Sequence, residues 1–584
     1  MTHVWNLDPI YQGFADPEFD ADMTRFQKAL EDLEAFSQQL DAEDAADTLC
    51  RGIDLLEQVT ALVERLATYC LLRQNADTRD PEVTSRLGQV LSLASSSAGP
   101  EAAFKDWAAR REDLMALVES RQQLQPYRFL FETIRDSGRY LLPGIGEQIV
   151  ARMQLSGGNA WAELQQYLTS TLTVPFRNET KNLSQIRNLA SDPDPLVRRE
   201  AYEAELSAYP KIEASVAYAL NSIKLETLTE CSLRGYDSPL DRTLKEAHLS
   251  SQTLEAMLGA MEEYLPKFRQ YLRCKAKALG HEGGLPWYDL FAPMGKSSSK
   301  FTPESAGDYL VTLFRGFDEE LAQMIRTAFD REWIDFFPRE GKSGGAFCAE
   351  VSCLSESRVL TNFDGTFSSV VTLAHELGHA FHNQCIFPHR ILNHQYSMPL
   401  AETASTFNEC VVMASAIGQA ADQAEKIALI EAQLQDTTQI ICDIYSRFLF
   451  EKAVFERRDR EFLDASTLCD MMLEAQKQSY GDGLDENTLH PYMWVCKSHY
   501  YGPIFYNFPY AFGGLFARGL YAQYEKEGAA FVPKYKKLLH TTPVATVEDT
   551  ARVADIDLTD KNFWRGALQT IADKIDLLCK LLEE

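Results

Sequence analysis

Along most of this chain apolar residues recur at steps of three and four, the period of a helix that turns one face to a core. Between residues 53 and 70, Leu55, Leu56, Val59, Leu62, Val63, Leu66 and Tyr69 make one stripe, and Glu57, Glu64 and Arg65 lie off it. Leu30, Leu33, Phe36 and Leu40 repeat the pattern earlier. Helix starts agree. Asp194 precedes Pro195 and Thr302 precedes Pro303, a capping side chain followed by a proline whose missing N–H is tolerated in the first turn. The pattern predicts a mainly α fold.

One stretch departs from it. In "GKSGGAFCAEVSCLSESRVLTNF", residues 341–363, glycines at 341, 344 and 345 precede an alternating run that sets Phe347, Ala349, Val351 and Cys353 on one face. A second β-like run follows at 358–363. The expectation is a small sheet leading into the next helix. It serves either as a structural hairpin or as an edge strand that pairs with an extended peptide. No fixed-period repeat or low-complexity linker marks domain boundaries, and the polar cluster 177–195 is the most loop-like divider.

Composition narrows the function classes. With 584 residues, 45% of them hydrophobic, the chain can bury a large core. It has no apolar run of transmembrane length, and "MTHVWNLDPIYQGF" lacks the pattern of a signal peptide, so cytoplasmic residence is expected. A net charge of −28 repels phosphate backbones and anionic lipid, so neither nucleic acid nor membrane is expected as a partner. Twelve cysteines without a CxxC pair suit reduced thiols.

The candidate chemistry lies in "SSVVTLAHELGHAFHNQ", residues 368–384, where His375, Glu376 and His379 interrupt an apolar run. Burying such groups without partners is costly, and a metal ion is the first candidate to compensate. His375 and His379, four apart, share a helix face and can present imidazole nitrogens to one ion, while Glu376 on the flank can deprotonate a water. Neutral imidazole and carboxylate suit zinc, one ion per chain, with three protein ligands and an open position. Thr366 or Ser368 would cap this helix and Pro388 stop it. An extended signature with a Gly three residues and a His six residues after the second His is excluded, because His382 and Cys385 stand there. Glu402 and Glu409, seven apart in another apolar helix, can face one site. Glu402 is assigned as third ligand and Glu409 as the carboxylate that orients a histidine. His382, near the same face, is given a supporting role. His389 and His394 are read as ordinary surface or core residues, and Cys348 and Cys353 receive no role.

These residues carry a resemblance. "TLAHELGHAFH" followed about twenty residues later by "AETASTFNE" resembles the oligoendopeptidase F and thimet oligopeptidase family of zinc metallopeptidases, in its oligoendopeptidase F branch. Segments 144–170, 191–205 ("SDPDPLVRREAYEAE"), 341–348 ("GKSGGAFC") and 499–513 ("HYYGPIFYNFPYAFG") are also similar to family segments. The resemblance divides the chain into an N-terminal helical region (1–110), an oligoendopeptidase F-type N-terminal domain (111–185) and a catalytic domain (186–584). It implies His375, His379 and Glu402 as zinc ligands and Glu376 as general base, the four reached independently above. It further implies that His499 and a tyrosine donate hydrogen bonds to the developing oxyanion, with Tyr506 first, Tyr510 second and Tyr500 possible. Gly344, Gly345, Ala346 and Phe347 are implied to hold the peptide backbone. Gly502, Gly513 and Gly514 are expected to let their segment move. The implied fold is a large helical body enclosing a deep channel, with a small β-sheet beside the HExxH helix. The implied activity is zinc-dependent cleavage of internal bonds in short, unstructured peptides. A zinc carboxypeptidase or dipeptidyl carboxypeptidase, or an inactive helical peptide-binding protein, are the rivals. Oligomeric state is left open.

Overall fold

Helices form where the apolar stripes fall. The computed structural model describes residues 3–142, 145–295 and 300–583; Gly144, at the head of one family-like segment, lies outside the described residues. The chain divides into two compact units. The first comprises Met1–Tyr140, Ser298–Ser415 and Gln523–Asp555, and the second Leu141–Ser297, Ala416–Ala522 and Ile556–Glu584. Each unit draws on three stretches of chain, whereas the division at 110 and 185 runs in series and follows motif rather than compactness.

In the first unit, Asp16 caps helix α1 (Pro17–Ser37) and Asp44 caps α2 (Ala45–Ala76), each accepting from a backbone N–H of the opening turn. Leu56, Val59, Leu66 and Tyr69 are buried on α2, and Leu55, Leu62 and Val63 pack against the same cluster, as the stripe requires. A three-stranded sheet joins this core, with β1 (Ile334–Asp335), β2 (Phe347–Val351) and β3 (Glu356–Leu360) in the order β1-β3-β2. β3 runs parallel to β1 and antiparallel to β2, with Ala349 opposite Arg358. β2 is therefore an edge strand. The expected alternation stops at Val351. A turn of 3-10 helix over Ser352–Leu354 takes Cys353 out of the strand and leaves it exposed. β1 was not expected, because two residues carry no period.

Helix α3 (Phe367–Ile386) follows the sheet, and Thr366, not Ser368, caps it by accepting from the Ser369 N–H. Helix α4 starts at Thr403 and runs to Gln419. α3 and α4 touch at Gly378, where an added Cβ would lie 2.6 Å from both the Ala404 carbonyl oxygen and the Ser405 Cα. Nearby, Asn408 Nδ2 donates to the Ala374 carbonyl at 3.0 Å. Thr302 also caps its helix as expected, in a capping box.

The second unit is also helical, with one hairpin of Thr173–Phe176 and Glu179–Asn182. Asp194 caps the helix Pro195–Ala208. Helices Ser251–Ala278 and Lys561–Glu583 are joined by a Cys274–Cys579 disulfide. The expectation of reduced thiols thus fails at this pair, and the other ten cysteines are free. Among the described residues no helix is long and apolar enough to cross a membrane.

Candidate metal centre

α3 sets His375 and His379 one turn apart, and the close approach of α4 at Gly378 brings up Glu402, which stands immediately before α4. Three donor atoms converge. His375 Nε2 lies 3.2 Å from His379 Nε2 and 3.3 Å from Glu402 Oε2, and His379 Nε2 lies 3.5 Å from the same oxygen. A tetrahedral ion with bonds of about 2.0–2.1 Å spaces its ligand atoms about 3.3–3.4 Å apart, because a tetrahedron's edge is about 1.63 times its radius. The triangle therefore fits one face of a tetrahedral zinc site, and the fourth position stays open. No other group of three His, Cys, Asp or Glu among the described residues has this convergence.

The outer contacts orient the donors. Glu409 Oε1 lies 2.5 Å from His375 Nδ1, so a proton on Nδ1 leaves Nε2 as the donor toward the triangle. Ser405 Oγ donates to Glu402 Oε2 at 2.8 Å. Burial opposes charge on His375, but its hydrogen bonds to Glu402 and Glu409 outweigh this and push its pKa up to about 10. Burial also opposes charge on Glu402, yet His375 and His379 pull it down to about 2. Burial takes His379 down to about 4. His375 and Glu402 thus favour a positive charge between them, whereas burial disfavours a proton on His379 and leaves its Nε2 lone pair available as a donor. Glu376 is 6% exposed, and burial raises its carboxyl to about 7.

The centre faces a cavity of about 560 Å³ walled by β2 through Phe347, Cys348 and Glu350, and by His394 and Tyr396 from the loop after α3. Of the residues expected to hold the peptide backbone, Ala346 and Phe347 line this cavity, while Gly344 and Gly345 are exposed beside it. Their loop is tied down. Lys342 Nζ donates to the Asp335 carboxylate at 2.7 Å and the Thr361 carbonyl at 2.6 Å, and Asn362 Nδ2 donates to the Gly345 carbonyl at 2.8 Å. Gly345 has φ +76°, which favours glycine.

His382 makes no hydrogen bond to the trio. It is fully buried, bonds Thr542 Oγ1 through Nε2 at 2.8 Å, and stacks on Tyr396 with ring centroids 4.2 Å apart. Its support goes to the cavity wall. His394 is not the ordinary residue expected: it is 5% exposed, lines the cavity and holds Glu350 Oε1 2.5 Å from its Nδ1. No sequence signal marks it, because its partner is 44 residues away across a loop. Cys348, given no role, also lines the cavity. His389 stacks on His540 at 4.1 Å and bonds its carbonyl, a packing role.

His499, Tyr506 and Tyr510 belong to the second unit and are brought together there, with ring centroids 5.7, 5.8 and 5.5 Å apart pairwise. Burial, with Arg447 and Lys497 nearby, lowers the His499 pKa below its ordinary value. Glu451 steadies the segment, accepting from Asn507 Nδ2 at 2.7 Å and the Phe505 N–H at 3.3 Å. Tyr500 is removed from the candidate donors: it is 1% exposed and packs edge-on against Phe450 at 5.1 Å. Gly513 and Gly514, expected to let this segment move, are buried within the helix Phe508–Glu527.

The sequence pattern described as Peptidase family M3 matches residues 188–568, and that described as Oligopeptidase F matches 108–173. Among curated proteins, the chain is 23% identical over 592 residues to an oligoendopeptidase F homolog of Lactococcus lactis subsp. lactis, covering 100% of this chain and 97% of the relative. It is 22% identical over 594 residues to the oligopeptidase PepF of Bacillus subtilis, covering 99% and 87% respectively. Among solved structures, a candidate peptidase from Chlamydophila abortus matches with a TM-score of 0.86 at 21% identity, covering 99% of this chain and 98% of the other. An oligoendopeptidase F from Enterococcus faecium matches with a TM-score of 0.72 at 18% identity, covering 97% and 99%.

Proposed function

Since the chain belongs to peptidase family M3 and is a metallo-oligopeptidase, we propose that it uses one zinc ion, held by His375, His379 and Glu402, to cut internal bonds of short extended peptides. The observation that carries the zinc assignment is the triangle of donor atoms, with edges of 3.2, 3.3 and 3.5 Å. When bound, zinc supplies Lewis acidity, polarising a carbonyl and making water acidic near neutral pH. Glu376 takes the proton of the attacking water at its carboxylate and delivers it to the departing amine. Its burial beside His375 supports that role. Glu409 keeps His375 in the tautomer that offers Nε2.

The free edge of β2 receives the substrate backbone, so a substrate must be extended, and folded proteins are excluded on that ground. His499, with Tyr506 or Tyr510, is assigned to oxyanion stabilisation from the family resemblance alone. Among the described residues no Lys or Arg lines the cavity to fix a terminal carboxylate, which favours internal cleavage over carboxypeptidase action. The intact Glu376 and ligand set disfavour an inactive binder. Short peptides are the proposed partners. Nucleic acid and membrane are disfavoured by the charge of −28, and cytoplasmic residence is proposed from the sequence, with ten free cysteines in its favour and the Cys274–Cys579 disulfide against it.

The test compares wild type with Glu376→Gln for zinc content and for products from ten-residue peptides, read by mass spectrometry. Both should hold one zinc per chain, and only wild type should produce internal cuts. Metal-free wild type, or equal cleavage by both, overturns the reading.

A further inference from the structure

We propose that Glu350 is a specificity-determining residue that selects peptides carrying a basic side chain at one fixed position relative to the cut. The proposal rests on the peptidase reading above and extends it to substrate class.

The side chains of β2 divide between two environments. Ala349 and Val351 turn into the apolar cluster of α1 and α2, while Cys348 and Glu350 line the cavity that holds the metal ligands. Glu350 is a carboxylate near the end of β2 that faces the metal cavity, with His394 as the basic residue beside it. Both groups that hold Glu350 use the same oxygen. Ser352 Oγ donates to Oε1 at 2.9 Å, and His394 Nδ1 lies 2.5 Å from it. Oε2 makes no hydrogen bond within the described residues, and it is not a buried atom. The side chain as a whole keeps 21% of its surface exposed. One oxygen is thus anchored and the other is offered to the cavity, an acceptor fixed in advance for an incoming donor.

Among the described residues no Lys or Arg lines this cavity, so the donor proposed to meet Oε2 is a guanidinium or ammonium brought by the substrate. Strand geometry makes the position definite. A peptide paired with the edge of β2 shows a side chain to this wall every second residue, about 6.6–6.8 Å apart. Only one of them reaches the end of the strand where Glu350 sits. The chain's charge of −28 adds attraction for cationic peptides at longer range.

The experiment uses the full-length zinc-loaded enzyme and matched ten-residue peptides that differ only by Lys, norleucine or Glu at each position in turn. Each peptide is prepared with a free and an acetylated N-terminus. In wild type, Lys should exceed norleucine by about tenfold in kcat/KM at a single position relative to the cut, the effect of one charge-assisted contact. In Glu350→Gln that ratio should fall toward one, and in Glu350→Lys it should invert in favour of Glu. Each ratio is read within one variant, so a general loss of rate does not disturb it. A wild-type ratio near one at every position overturns the proposal without any variant, and so does a tenfold ratio that survives in Glu350→Gln. A preference that vanishes on acetylation overturns it in favour of recognition of the N-terminal ammonium. Failure of wild type to cut any peptide sinks the peptidase reading and this proposal with it, an outcome distinct from unselective cutting.

Discussion

Glu409 touches the proposed metal site only through His375, at 2.5 Å, yet it decides which imidazole nitrogen is free to donate. Replacing it by Ala should weaken zinc binding about 10- to 100-fold, measured by competition with a chromogenic chelator, without changing the fold. A second residue-scale effect lies far from catalysis. In the second unit, Glu205 Oε1 is 3.1 Å from His490 and 2.5 Å from Arg187. Burial opposes its ionisation, but His490 and Arg187 outweigh burial and hold its pKa at about 2, below the ordinary 4.5. A depressed carboxylate stabilises the fold fully above its unfolded pKa and loses that contribution as pH falls through the folded value. Stability should therefore drop between about pH 4.5 and 2, and Glu205→Gln should flatten that slope in acid titrations followed by circular dichroism. At this scale the two histidines of HExxH were legible, because helical spacing puts them on one face; Glu402, expected in one helix with Glu409, instead stands at the turn immediately before α4, and the pair reaches His375 from two elements. Glu350 and His394 were not legible, since a contact across a loop leaves no period behind.

Among the elements, α3 and α4 depend on one missing methyl group. In Gly378→Ala the new Cβ would meet the Ala404 carbonyl oxygen and Ser405 Cα at 2.6 Å, backbone atoms that cannot rotate away. The helices must part, and Glu402 moves with α4. We expect a loss of about 1–3 kcal/mol in denaturant melts, with a fall in zinc affinity that Gly→Ala at exposed Gly88, which meets nothing within 4 Å, does not produce. Helix caps at Thr302, Asp194 and Thr366 were readable, because capping is a local hydrogen bond between neighbours in sequence. The end of β2 was not. The alternating run continued in sequence to Cys353, but Ser355 adopts a left-handed φ of 50°, and the turn this closes draws residues 352–354 off the strand.

For the whole molecule, the disulfide between Cys274 and Cys579 spans 305 residues of sequence, a separation at which no pattern could have paired them. Under denaturing conditions without reductant, thiol titration should count ten reactive cysteines, and twelve after reduction. Twelve in both states would mean that the pair is reduced in solution. The mainly helical class was legible from apolar periodicity. The two-unit division was not, because the chain leaves each unit and returns to it, while motifs are read in series. That weaving has a consequence for the order in which the protein is made. The three donor atoms are all synthesised by residue 402, but the first unit still lacks Gln523–Asp555, which includes the Thr542 that holds His382 behind Tyr396. On the ribosome, the unit that holds the donors and the cavity wall is completed only after almost the whole chain has emerged.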